Sequence, residues 1–392
     1  MASPQKLIVV LGVTGTQGSS VATTFLSLGG WKVRGVTRNP ESKSAKNQAA
    51  KGVELVKGDL NDKESLEAAF IGATAIFLVT DFWTIFKQKE THEKASATGT
   101  FLSLLCHQQE VQQGLNTVEA ASDPKVLQSL ERFIFSTLTP VTKLSGGKYT
   151  HVYHFDSKAK IEQHIRSNVP ELAKILGTFV MGVFTENWTA PGFLSPQKQA
   201  DGSWAINDPQ LPGPKEFSTI PWVVASRDTG KFVKALVIDQ EPGTRIYGVS
   251  EFKTRAEVAD IWGKILGAPT TTRPISKDEF AEAWPELVRE EMIDNFSFVK
   301  EFGYQQVTRY QVIFRPLVSK GVLTTAQEIP AGVSSSLGAI NPTALSSAAS
   351  VLSASSASVA SAKATSTGGA NAHEVKYAAL FGVGGAALNA FM

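Results

Sequence analysis

The first apolar run of the chain, Leu7-Ile8-Val9-Val10-Leu11, stops at a glycine. An unbroken β-branched run of this kind predicts a parallel strand buried on both faces. Beyond it the period changes. Val21, Ala22, Phe25 and Leu28 recur at helical spacing, which predicts a helix over residues 19–28. Between the two lies Gly12-Val13-Thr14-Gly15-Thr16-Gln17-Gly18, a G-x-x-G-x-x-G turn. Backbone without side chains can approach a pyrophosphate closely there, and the helix N-terminus adds unpaired N–H donors. A tight turn holding no ligand is the alternative; strand before, helix after and a position near the N-terminus favour dinucleotide binding.

The same alternation continues. Residues 32–37 predict a second strand ending at Arg38-Asn39-Pro40, and residues 53–56 a third, closed by Gly58-Asp59-Leu60. Asn61-Asp62-Lys63-Glu64 has the form of a capping box opening a helix to Phe70. Residues 73–79 predict a fourth strand, ending at Thr80-Asp81-Phe82-Trp83. From 84 to about 113 no clean period emerges, and a helix follows over about 110–121. Residues 131–136 predict a fifth strand with Thr137 at its carboxyl end, 140–148 a loop, 156–165 a helix and 173–181 a sixth strand. The expectation is an α/β, Rossmann-type, doubly wound parallel sheet with its ligand at the carboxyl ends of the strands. Phe82 and Trp83 are then either walls of that site or core.

After Met181 the pattern breaks. Residues 190–218 are rich in Pro and Gly and predict loops and short strands over the crevice. Residues 228–238 predict a helix, and Thr254-Arg255-Ala256-Glu257 and Ser276-Lys277-Asp278-Glu279 two capping boxes. With no nucleotide turn of its own, this half reads as a smaller C-terminal α/β substrate lobe. The expected division is a body over 1–330, with the nucleotide part to about 181 and the lobe over 182–330, followed by a low-complexity tail over 331–392. The tail is dominated by Ala, Ser, Thr and Gly, too poor in apolar area to offset its ordering entropy, so disorder is expected. Its last apolar stretch, 377–392, has the outline of a lipid-anchor signal, but no signal peptide precedes the first strand and the stretch is short for a span, so no membrane is expected.

Composition narrows the function. Of 392 residues 42% are hydrophobic and 19% charged, with a net charge of +2 and no basic footprint for direct nucleic-acid contact. One cysteine, Cys106, excludes an internal disulfide and suits a reducing compartment, cytoplasmic or also nuclear. Cys106-His107 and His151-x-x-His154 lack further ligands at usable spacing, so no metal is expected. Where an NAD-selective strand end carries an acid for the ribose 2′-hydroxyl, this one carries Arg38, with Lys43 nearby. A guanidinium suits a 2′-phosphate, hence NADP(H); the plain alternative is a solvent-facing arginine.

These stretches, together with Gly147-Lys148-Tyr149-Thr150-His151-Val152-Tyr153-His154-Phe155-Asp156-Ser157-Lys158 and Phe184-Thr185-Glu186-Asn187-Trp188, resemble the NmrA-like family of atypical short-chain dehydrogenase/reductases over residues 6–327. The resemblance is strongest to the branch of NADPH sensors; the family also holds a fungal repressor of nitrogen metabolism and oxidoreductases of small-molecule biosynthesis. It implies that Gly12 to Gln17, with Gly18, hold the pyrophosphate. Arg38, Asn39, Pro40, Glu41 and Ser42 would hold the 2′-phosphate, and Asp59 and Leu60 would flank the adenine. Thr80, Asp81, Phe82, Lys158, Phe184, Thr185, Glu186 and Asn187 would line the ribose and nicotinamide end. Gln112 stands where the family usually carries a lysine, and the stretch between Trp83 and Glu110 has no counterpart. Short-chain reductases place a Tyr four residues before the Lys; here that position is His154, with Tyr153 about 100° round the helix. Two functions stay open: an oxidoreductase on a small organic substrate with Lys158 and His154 or Tyr153 in the chemistry, or a non-catalytic sensor and regulator working through a protein partner.

Overall fold

The computed structural model describes residues 5–188, 192–214 and 218–304. The expectations for the tail and its terminal apolar stretch lie outside them. Six strands follow the predicted order: β1 (Lys6–Val10), β2 (Trp31–Thr37), β3 (Glu54–Lys57), β4 (Ala75–Leu78), β5 (Arg132–Thr137) and β6 (Leu176–Met181). Short strands β7 (Val183–Phe184), β8 (Gln197–Lys198), β9 (Trp204–Pro209) and β10 (Ile220–Val223) follow, then β11 (Arg245–Gly248), β12 (Glu251–Lys253) and β13 (Thr270–Ile275). The main sheet has seven strands in the order β11-β6-β5-β4-β1-β2-β3. Every pairing in it is parallel. The order reverses between β1 and β4, and a crevice opens at such a switch point.

The alternation of β1 explains both layers. Ile8 and Val10 join Phe77 and Phe179 against Phe25 and Phe232 on one side. Val9 and Leu11 join Ile76 and Phe135 against Phe70 and Ile161 on the other. Both sides are dry, so the strand shows no polar alternation. β11, from the half assigned to the substrate lobe, pairs with β6 and completes this sheet. Helix Ala225–Lys234 returns with it and packs on helix Thr16–Leu26, where a Cβ on Gly230 would meet Thr24 Oγ1 at 2.1 Å and Ser20 O at 2.4 Å. The chain after Met181 therefore serves both parts, and two three-stranded sheets, β12-β10-β7 and β13-β9-β8, form its smaller portion.

Several predicted elements shift. The helix expected over 19–28 begins at Thr16, directly on the glycine turn. The loop at 140–148 contains a turn of helix, Val141–Leu144. The strand expected from 173 begins at Leu176, because Pro170–Ile175 is helical, with Pro at its start and Glu171 and Lys174 placed to suit the helix dipole. Asn61–Glu64 is not a capping box: Asp62 is the N-cap and accepts from Ser65 N, so no Glu stands at the reciprocal position. Thr254 and Glu257 form the full box. Ser276 caps Glu279 N, while the Glu279 carboxylate pairs with Arg273 instead.

The stretch without a period is three helices, Phe82–Phe86, Lys89–Thr98 and Leu102–Ala121. The last is buried along Cys106, Glu110, Gln113, Gly114 and Thr117, so polar residues occupy positions an apolar stripe would fill. Polar residues on the inner face hid the helical period.

Candidate active site

One crevice of about 610 Å³ runs along the carboxyl ends of the strands, from Arg38 and Asp59 to Trp222 and Tyr304. At its centre the glycine turn is closed tightly. Gly12 has φ +62°, and a Cβ on Gly18 would lie 2.2 Å from Gly12 O. The N-cap of helix Thr16–Leu26 is Gly15, with no side chain bonded to the first-turn N–H groups. That leaves backbone donors for an anion. Gln17 is fixed by Ser136, whose hydroxyl donates to Gln17 Oε1 at 2.8 Å. Val13 is wholly buried beneath the turn and does not line the crevice; its side chain packs where Gly35 leaves room.

Arg38 lines the rim, exposed. Asn39, Pro40, Glu41 and Ser42 form the turn beyond it and do not line the crevice. Their polar groups serve the turn: Asn39 Oδ1 accepts from Glu41 N, and Ser42 caps the next helix at Ala45 N. Asp59 and Leu60 line the same end. They are tied to helix Leu102–Ala121, since Asn116 donates to Leu60 O and Gln113 to Asn61, itself bonded to Asp59. Gln112 points away, exposed and bonded to Asn116, whereas Gln113, about 100° round the helix, lines the crevice.

Towards the other end, Thr80, Asp81, Phe82 and Trp83 all line the crevice. Trp83 is at once wall and core, 3% exposed. Phe184 and Asn187 line it from the far side; Thr185 and Glu186 do not. Glu186 instead accepts from Ala225 N and Ser226 N, capping the helix that packs on the nucleotide turn.

Helix Tyr153–Asn168 brings His154 and Lys158 to the crevice one turn apart. Lys158 Nζ donates to Glu110 Oε1 and Ser157 Oγ to Glu110 Oε2, and Glu110 is fully buried. His154 Nδ1 lies 2.6 Å from Glu291 Oε1, which also accepts from His154 N. The imidazole is packed by Trp83, 5.2 Å between ring centres, and by Phe82 and Phe155. Tyr153 is turned out of the crevice, among His107, His151 and Phe101. Burial and the carboxylates of Glu291, Glu290 and Asp294 push its phenol above the ordinary pKa. Tyr153 does not line the crevice, and the raised pKa makes its phenol a weaker acid.

Glu110 and Glu291 are the functional residues that sequence reading missed. Glu291 interrupts an apolar stripe, between Val288, Met292 and Phe298 in helix Glu286–Phe302, whereas Glu110 sits on an inward face that is itself largely polar. A carboxylate on an inward face was the available signal. That helix is strapped to segment 148–154 along one side: Lys148 and Tyr149 on Glu301, His151 on Asp294, His154 on Glu291.

Comparison with known proteins agrees with this architecture. An NmrA-like oxidoreductase of Aspergillus hancockii is 26% identical over 295 residues, 73% of this chain and 81% of its own. One of Aspergillus flavus is 27% identical over 291 residues, 70% and 77% of the two chains. Among solved structures, the negative transcriptional regulator NmrA in complex with NADP has a TM-score of 0.57 at 18% identity, covering 82% of this chain and 89% of that one. The triphenylmethane reductase of a Citrobacter species, complexed with NADP(H), gives 0.54 at 18%, covering 77% and 91%. At such identities the structures report the fold. The profile of the NmrA-like family matches residues 4–328, and the chain belongs to that family.

Proposed function

We propose that this chain is an NADP(H)-dependent oxidoreductase acting on a small organic molecule. The observation that carries the reading is the pair His154 and Lys158, one turn apart in the crevice wall, each held by its own buried carboxylate. The relatives named as oxidoreductases and the neighbours solved with NADP(H) support it.

The residues fit the cofactor. The Gly12–Gly18 turn leaves no space for a Cβ at Gly18 and presents uncapped N–H groups, as a pyrophosphate requires. Arg38 at the rim matches a 2′-phosphate. The nicotinamide, when bound, supplies or accepts the hydride. Lys158 has three N–H donors; Glu110 engages one and the rest remain for ribose hydroxyls. With Nδ1 of His154 held by Glu291, Nε2 is the ring nitrogen left to exchange a proton with the substrate oxygen or nitrogen. Phe82, Trp83 and Phe155 around the imidazole keep water from that transfer.

The test is NADPH oxidation in the presence of ketones, aldehydes, enones and imines. Turnover above background with at least one class is expected. No turnover in any class, with NADPH demonstrably bound, overturns the enzymatic reading. The regulatory alternative would then require NADPH and NADP⁺ to change the recovery of a protein partner unequally.

A further inference from the structure

The half of the crevice beyond Met181 holds a feature that hydride chemistry leaves unexplained. Among the described crevice-lining residues that follow Met181 in sequence, Arg255 is the one charged side chain. It is the first residue of helix Arg255–Leu266, and its side chain is 12% exposed. Among the described residues its one ion-pair partner is Asp208, 3.3 Å away at Nε. Burial pulls the guanidinium below its ordinary pKa, and Asp208 offsets this only in part. A guanidinium carries five N–H donors in a planar fork, so a single contact at Nε leaves the terminal nitrogens for another acceptor. Burying such a cation is costly until acceptors are supplied.

A second observation comes from another element. Asn295, on helix Glu286–Phe302, is 6% exposed and lines the same half. Its Oδ1 is buried with no hydrogen-bond partner among the described residues. That atom has almost no accessible surface, so Asn295 adds a buried polar position behind the wall and no contact open to a ligand. Aromatic rings also line the crevice after Met181: Trp188 and Trp222, edge to face at 4.9 Å, and Phe296.

We propose that this half of the crevice is a subsite for an aromatic carboxylic acid. Arg255 pairs with the carboxylate, and Trp188, Trp222 and Phe296 cover the ring. The proposal rests on reading the crevice as a small-molecule site, and it names the chemical class that site selects. It does not depend on which bond is reduced.

The test is therefore binding rather than turnover. Calorimetric titration of the NADPH-loaded protein with naphthoate and with naphthamide compares two ligands of the same shape that differ in charge. The acid is expected to bind at least about tenfold more tightly, as a charge-assisted contact implies. In R255Q the difference should vanish, while R255K should keep part of it. NADPH affinity of each variant reports whether its fold is intact. Equal binding of acid and amide by the unmodified protein overturns the proposal, as does failure of both to bind. So does a preference that survives in R255Q. Preferential binding of the acid, together with no NADPH oxidation by any ketone, aldehyde, enone or imine, upholds the subsite and counts against the oxidoreductase, which keeps the two failures apart.

Discussion

His154 and Glu291 exchange a hydrogen bond across 137 positions of sequence, and the pair makes specific demands on mutants. His154→Ala removes the proton donor and is expected to lower turnover by roughly 10²–10⁴-fold, the usual loss for a general acid. NADPH affinity, measured by titration, should stay near normal, because the imidazole is placed for the substrate. Glu291→Gln keeps the shape but loses the charge. Turnover should fall less than in His154→Ala, and the pH–rate profile should shift, which a merely structural role for Glu291 would not produce. Arg38 supports a separate prediction. Arg38→Ala should remove most of a preference for NADPH over NADH, since one charge-assisted contact is worth about 1.5–3 kcal/mol. Equal affinities for the two cofactors in the unmodified protein would contradict the role given to Arg38. Arg38, His154 and Lys158 were visible as candidates because each stands in a local motif. Glu110 and Glu291 were not, since a glutamate in a helix carries no mark of its partner.

The nucleotide turn is the element that the sequence specified most fully. Strand, turn and helix are contiguous, so one short stretch contains all the information that shapes them. Its prediction follows from Gly18, where a Cβ would meet Gly12 O at 2.2 Å and Gly12 C at 2.6 Å. Those are backbone atoms, so the turn itself must move. Gly18→Ala is expected to weaken NADPH binding by at least about tenfold on the scale of a displaced charge-assisted bond, and to lower the melting temperature as well. A variant with unchanged affinity would show that the turn is not the anion site. Helix Leu102–Ala121 was the opposite case. Its inward face carries Glu110 and Gln113, whose partners lie on other elements, and Thr117, which donates back to Gln113 O within the helix. Until those elements are in place, such residues read as surface.

The whole molecule is held across its two parts by buried charge as well as by apolar layers. Asp228, 2% exposed, bonds Arg227, Lys231 and Ser250, joining helix Ala225–Lys234 to the turn before β12. Burial works to raise its pKa, but the bonds from Arg227, Ser250 and Lys231 outweigh it and hold the carboxyl below its ordinary value. A depressed carboxyl contributes stability that is present above the unfolded pKa, near ~3.9, and is lost as pH falls through the lower folded value. Asp228→Asn should therefore cost about 1–3 kcal/mol at neutral pH. The gap between the two proteins, followed by denaturant unfolding, should close as pH drops below about 4. A gap independent of pH would contradict the assignment. Asp156 works in the other direction, since burial raises its carboxyl, and comparing Asp228→Asn with the parent protein cancels that contribution.

The sequence by itself determined what is local: the buried strands, their order along the chain, the glycine turn and the helix capped by Thr254 and Glu257. Each depends on residues within a few positions of one another, where period and cap chemistry are decisive. Tertiary structure alone decided the rest. It brought β11 back beside β6, turned Tyr153 out of the crevice and His154 into it, exchanged Gln112 for Gln113 at the wall and set Glu110 against Lys158. The physical reason is that a helix offers every residue a direction but does not say which direction is inside. That choice is made by the apolar layers that stack against it, and here those layers come from strands and helices far apart in the chain.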